Sequence, residues 1–116
     1  MWEIIQTQEF LEWYNDLDVS AQEGIYEKMF ILREIGPKLG RPYADTVKGS
    51  NYKNMKELRV QNKKRPFRIF FAFDPDRNAI LLIGGDKTGK KRFYDEYIPV
   101  ADKLYKSYLE DNYEKE

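Results

Sequence analysis

The chain has 116 residues, the size of one compact domain over 1–116, with 20 basic and 20 acidic side chains and a formal net charge of zero. It contains no histidine and no cysteine, which excludes a Cys/His metal centre, a thiolate nucleophile, a Ser-His-Asp triad and a disulfide. The longest apolar runs, 69–73 and 79–83, are too short to cross a bilayer, and no basic n-region precedes an apolar stretch, so a soluble cytoplasmic protein without membrane contacts is expected.

Residues 2–6 predict a short strand. Over 8–17, Phe10, Trp13, Tyr14 and Leu17 recur at i, i+3, i+4 and i+7, the stripe of an amphipathic helix. A short Asp18-Val19 link follows, then Ser20-Ala-Gln-Glu23, which has capping-box spacing and predicts the start of a second, antiparallel helix. That helix turns Ile25, Met29 and Leu32 inward and stops at Gly36-Pro37. Residues 37–52 show no sustained period and predict a loop. Residues 54–61 and 66–74 then read as two strands around a basic tip, Asn62-Lys-Lys-Arg65. The second strand carries Phe67, Ile69, Phe71 and Phe73 on one face and Phe70 and Ala72 on the other, a pattern that belongs in the middle of a sheet. Asp74-Pro-Asp-Arg-Asn78 predicts a tight turn, and 79–83 a third buried strand. Pro99 is expected to open a last helix striped by Ala101, Leu104, Tyr105 and Tyr108. The order βααβββα predicts an α+β fold: two N-terminal helices and a C-terminal helix on a mostly antiparallel sheet.

The zero net charge conceals a partition. Residues 1–34 hold two basic and eight acidic side chains, 38–92 fifteen and five, and 93–116 three and seven. Either acidic helices neutralise a basic sheet region within the monomer, or 38–92 forms a surface for a polyanion. Within that segment, Gly84-Gly-Asp-Lys-Thr-Gly-Lys-Lys91 matches seven positions of the phosphate-loop pattern, but Lys91 stands where a Ser or Thr must ligate magnesium. With no helix expected before Pro99 and no parallel sheet, a glycine-rich turn is the better reading, its lysines free to contact an RNA backbone. Arg59 and Arg68 fall nearly opposite on adjacent strands, Arg59 sharing a face with Glu57. Like charges so placed are unfavourable unless an anion lies beside them, so either Glu57 neutralises one of them or the two forks are aimed at phosphate oxygens. Tyr94 follows Lys87, Lys90, Lys91 and Arg92, a cationic setting expected to lower its pKa. A half-buried anchor for the last helix is the alternative role, as for Phe93, Tyr97, Tyr105 and Tyr108.

Gly36-Pro-Lys-Leu-Gly-Arg-Pro-Tyr43-Ala-Asp-Thr-Val-Lys-Gly-Ser50, Met55-Lys-Glu-Leu-Arg59, Pro66-Phe-Arg-Ile-Phe-Phe-Ala-Phe-Asp-Pro75 and Ala79-Ile-Leu-Leu-Ile-Gly-Gly-Asp-Lys87 succeed one another in an order that resembles toxins of the HigB type. These form the phage-derived, Gp49-like branch of the RelE/ParE superfamily, whose fold has the βααβββα order. The resemblance covers nearly the whole chain. It implies a bacterial type II toxin that cleaves messenger RNA on the translating ribosome and is silenced by a helix-turn-helix antitoxin of the HigA type. Carried over by position, it implies catalytic roles for Arg68, Lys87, Tyr94 and Arg59, Tyr94 lying before the C-terminal helix. Unlike some HigB toxins, this chain has no histidine to place near the site.

Such a reaction suits these residues, because RNA carries its own nucleophile in the 2′-hydroxyl. Arg68 and Arg59 would hold the non-bridging oxygens, Tyr94 or a deprotonated Lys87 would be the base, and Lys90 or Arg92 would assist the leaving oxygen. No metal or other cofactor is called for. Lys56, Lys63, Lys64, Arg65, Lys90, Lys91 and Arg92 are expected to contact RNA or ribosome. The competing readings are a gyrase-inhibiting toxin of the ParE sort, an RNA-binding module without turnover, and a degenerate prophage remnant.

Overall fold

A computed structural model describes residues 1–114; residues 115 and 116, the end of the expected domain, lie outside the described residues. In chain order the elements are β1 (Ile4–Gln6), α1 (Gln8–Asn15), α2 (Val19–Ile35), a 3-10 turn (Gly36–Lys38), β2 (Ala44–Thr46), β3 (Lys56–Asn62), β4 (Arg65–Phe73), β5 (Ala79–Asp86) and α3 (Phe93–Asn112). The strands form one sheet in the order β1-β5-β4-β3-β2, in which β1 runs parallel to β5 and every other pair is antiparallel. The fold is α+β, with the doubly apolar β4 at its centre.

Because β4 is apolar on both faces, the sheet has a core on each side. Phe10, Ile25 and Leu32 from α1 and α2 pack on Leu58, Val60, Phe67, Ile69 and Phe71. Phe93, Ala101 and Tyr105 from α3 pack on Phe70, Ala72, Ile80 and Leu82. Each of the large side chains contributes roughly 1.5–3 kcal/mol by leaving water. The helices therefore cover both faces of the sheet rather than one. Among the described residues, no helix is long and apolar enough to cross a membrane.

The structure departs from the sequence reading in four places. Helix α2 starts at Val19, capped by Asp18, whose carboxylate accepts from the Ala21 amide at 3.3 Å. Ser20 and Glu23 thus lie inside the helix and form no capping box; the Ser20 hydroxyl instead accepts from the side chain of Asn62 at 3.2 Å. The stretch read as loop contains β2, three residues too short to show a period, paired to β3 as Ala44↔Leu58, Asp45↔Glu57 and Thr46↔Lys56. Helix α3 begins at Phe93 and runs through Pro99. The proline removes one amide donor in the second turn, while Phe93, Ala101 and Tyr105 hold the helix to the sheet by burial. Finally β5 continues through Gly84, Gly85 and Asp86, so the first three of the eight residues of the supposed phosphate loop are strand. A helix does follow that segment and one parallel strand pair exists. A nucleotide still finds no cradle, because an added Cβ at Gly84 would lie 2.2 Å from the Trp13 ring and at Gly85 2.6 Å from the Tyr97 ring. Both glycines are covered by aromatic rings rather than open to a phosphate.

Candidate active site

Alternation along β3 turns Leu58 and Val60 toward α1 and α2, and Glu57 and Arg59 toward α3. Pairing with β4 sets Arg59 directly opposite Arg68 and Glu57 opposite Phe70. The carboxylate that these two guanidinium groups require is Glu57. It is 3% exposed, 2.9 Å from the Arg59 Nε through Oε2 and 3.8 Å from the Arg68 Nε through Oε1. Both arginines thus share one buried anion, where the sequence reading left the choice between neutralising one of them and aiming both at phosphate. The hydrogen bond that Arg59 donates to Glu57, together with the charge of that carboxylate, raises the Arg59 pKa above its ordinary value against the opposing effect of burial. Asp45 of β2 takes the other side of the Arg59 fork at 3.2 Å and also binds the Arg41 Nε at 2.9 Å. Arg68 donates through Nη1 to the Phe67 carbonyl at 3.1 Å, and its Nε is buried without a hydrogen-bond partner among the described residues. The arginine pair therefore retains donor capacity.

Tyr94 completes the group. It lies in the first turn of α3 rather than before the helix, and its hydroxyl donates to Glu57 Oε1 at 2.7 Å. The expected lowering of its pKa is reversed. Burial, then the hydrogen bond to Glu57, push the phenol above its ordinary value of 10.0, and the opposing pull of Arg68 is the weaker. The first turn of α3 is held by stacked rings, Phe93 on Tyr97 at 4.3 Å and Phe70 on Phe93 at 6.0 Å. Gly85 matters here because only a residue without a Cβ lets the Tyr97 ring lie flat against β5.

Lys87 reaches the site through a bulge. Phe70 pairs with Ile83 but Phe71 with Leu81, which leaves Leu82 as an extra residue in β5. Before the bulge, Ile80 and Leu82 face α3; after it, Ile83 and Gly85 do. Without that shift of parity Lys87 would project toward α1. With it, the Lys87 Nζ stands 5.1 Å from the centre of the Tyr94 ring. A backbone bond from the Lys87 amide to the Pro66 carbonyl at 2.9 Å keeps this loop beside the β3–β4 hairpin.

The remaining cations divide. Lys63 and Lys64 form the two-residue hairpin turn, both at positive φ (48° and 68°), and project from the same end of the sheet as the loop after β5. On that loop, the Lys90 Nζ lies 5.5 Å from the centre of the Tyr97 ring, Lys91 is exposed, and Arg92 pairs with Asp95 at 3.3 Å. Lys56 and Arg65 are not brought to the cluster. Lys56 donates to the Pro37 carbonyl at 3.3 Å, and Arg65 lies over Phe67 and pairs with Asp18 at 3.1 Å, both on the α1/α2 face. A cleft of about 390 Å³ opens beside Arg59, lined by Asp45, Thr46, Val47, Lys48, Glu57 and Tyr94. Sequence reasoning named Glu57 only as a counter-ion, although its place two residues before Arg59 on one strand face was the available signal. Asp45 was hidden with β2.

The chain was compared with known proteins. The family model described as "Phage derived protein Gp49-like" matches residues 12–106. A Mycobacterium tuberculosis (strain ATCC 25618 / H37Rv) protein named "Putative toxin HigB2" is 46% identical over 99 residues, which are 84% of this chain and 49% of that protein. The chain thus spans about half the length of that relative. "Putative toxin HigB3" of the same strain is 46% identical over 98 residues, 84% of each chain. Among solved structures, a mutant of the E. coli toxin RelE in the free state superposes with a TM-score of 0.62 at 11% identity, covering 91% of this chain and 96% of that one, which shows a shared fold. With a family model spanning most of its length and HigB-type relatives at 46% identity, the chain belongs to the phage-derived Gp49-like family, alongside those HigB-type proteins.

Proposed function

We propose that the chain is the toxin of a type II toxin–antitoxin pair, silenced by a helix-turn-helix antitoxin, and that it cuts messenger RNA on the translating ribosome. The observation that carries this reading is the opposed Arg59–Arg68 pair around one buried carboxylate that also receives the Tyr94 hydroxyl. Two always-charged forks on a rigid sheet suit the non-bridging oxygens of a phosphate whose charge rises in the transition state. The 2′-hydroxyl of the substrate attacks the phosphorus, and the bond to the 5′-oxygen breaks. The 2′-proton passes to the Tyr94 oxygen as the Tyr94 proton passes to Glu57. In this relay a free phenolate never accumulates, which agrees with a phenol held above its ordinary pKa. Lys87, whose ammonium lies over the Tyr94 ring, protonates the departing 5′-oxygen. Lys63, Lys64, Lys90, Lys91 and Arg92 supply backbone contacts around it.

Primer extension on a translated message tests the proposal. It expects discrete cuts with 2′,3′-cyclic phosphate and 5′-hydroxyl ends. Arg68→Ala should abolish the cuts while leaving most of the RNA affinity. An absence of cuts, or 5′-phosphate ends, would overturn the reading.

A further inference from the structure

Helix α2 has a face that nothing in the chain covers. Val19, Glu23, Tyr26, Phe30 and Arg33 are all exposed, and they follow one another at intervals of four, three, four and three residues, the spacing of a seam between paired helices. Val19, Tyr26 and Phe30 are 69%, 62% and 51% exposed, and Met1 beside them 83%. Two hollows flank Tyr26. One of about 330 Å³ lies toward β1, lined by Met1, Trp2, Phe30 and Arg33; the other, of about 720 Å³, is lined by Val19, Glu23 and Glu27. Large side chains standing in water beside two hollows mark a contact surface rather than scattered surface apolarity.

We infer that this face docks an amphipathic helix of a separate protein, apolar along its centre and basic on its flanks. Length and spacing call for a helix: the stripe runs about 21 Å, four helical turns. Charge calls for a basic one. Glu3, Glu23, Glu27 and Glu34 are exposed around the stripe, and none of them is in an ion pair among the described residues. A second copy of this chain would set two acidic faces against each other, and RNA is repelled by the same groups. Tyr26 and Phe30 lie on the opposite side of the sheet from Tyr94, so a helix bound here leaves the arginine cluster uncovered unless the partner reaches around the molecule. The inference rests on the toxin–antitoxin reading only for the partner's biological identity.

The experiment uses neither RNA nor antitoxin, so it can fail while that reading stands. A displayed library of helical peptides about 20 residues long, randomised in sequence, is selected on the purified chain. The inference expects winners with apolar residues spaced three and four apart and lysine or arginine flanking them. Their binding should weaken as salt rises, and Tyr26→Ser with Phe30→Ser should lower it at least about tenfold while circular dichroism stays unchanged. It is overturned if no helix is enriched, if the winners carry neutral or acidic flanks, or if they bind the doubly substituted chain equally. A dimer of the chain, seen by light scattering and dissolved by the same substitutions, also overturns it.

Discussion

Replacing Glu57 by glutamine preserves its shape and removes the one charge between two facing arginines. At an effective dielectric of 20, contacts of 2.9 and 3.8 Å correspond to gross attractions of about 4–6 kcal/mol each, most of which desolvation offsets. Breaking a buried pair by removing one partner typically costs about 3–5 kcal/mol. Arg59 is 35% exposed at its side chain and keeps Asp45, so it tolerates the loss; Arg68, at 15%, does not. The expected destabilisation is about 3 kcal/mol. With a urea slope of about 1.5 kcal/mol/M the midpoint should fall by roughly 2 M. Adding Arg68→Gln should then cost less than its separate effect, and inorganic phosphate should stabilise Glu57→Gln more than the unsubstituted chain, because it returns a negative charge to two forks that have lost their shared one. Equilibrium urea unfolding with and without phosphate measures all three. A midpoint shift below about 0.5 M, or strict additivity, would refute the view that Glu57 is the shared counter-ion.

Other consequences concern the scaffold. Gly85→Ala puts a methyl group against the Tyr97 ring and should cost about 1–3 kcal/mol in urea unfolding, with loss of activity as the first turn of α3 shifts. Asp18→Ala removes the cap of α2 and the partner of Arg65 and should lower the urea midpoint. Ser20→Ala should cost less than about 0.5 kcal/mol, since Asn62 keeps the Ser20 carbonyl. Asp74 is buried, which by itself raises its pKa, but donors from the Asn78 amide, Tyr108, Tyr113 and the Asn78 side chain together hold it below the ordinary carboxylate value of 3.8. A carboxyl with a lowered folded pKa contributes stability that is present above its unfolded value of about 3.9 and is lost as pH falls through the folded one. Unfolding followed between about pH 5 and pH 2 should therefore show a steep acid loss that Asp74→Asn flattens; equal slopes would contradict this.

The parts of the fold legible in the sequence are those that bury many apolar groups in a strong pattern. The two-faced run at 67–73 identified the central strand, and the turn at 62–65 set the register that opposes Arg59 to Arg68. What escaped depends on partners distant in the chain. The strand β2 exists because β3 pairs with it, not because Ala44–Thr46 prefers extension. The start of α3 follows from Phe93 stacking on Phe70, which outweighs the proline signal at Pro99. The approach of Lys87 to Tyr94 depends on a single extra residue in β5, which alternation alone does not reveal. For Tyr94, nearby lysines in the sequence suggested a lowered pKa, whereas burial and the hydrogen bond to Glu57 raise it.

The central claim is that the cluster around Arg68 turns the RNA's own 2′-hydroxyl against the neighbouring phosphate. The most direct measurement uses a translated message cut at a mapped position, remade with a single 2′-deoxynucleotide immediately 5′ of the scissile phosphate. The account predicts that this one missing oxygen abolishes the cut there while binding persists. Cleavage of the deoxy-substituted message at the same position would contradict it.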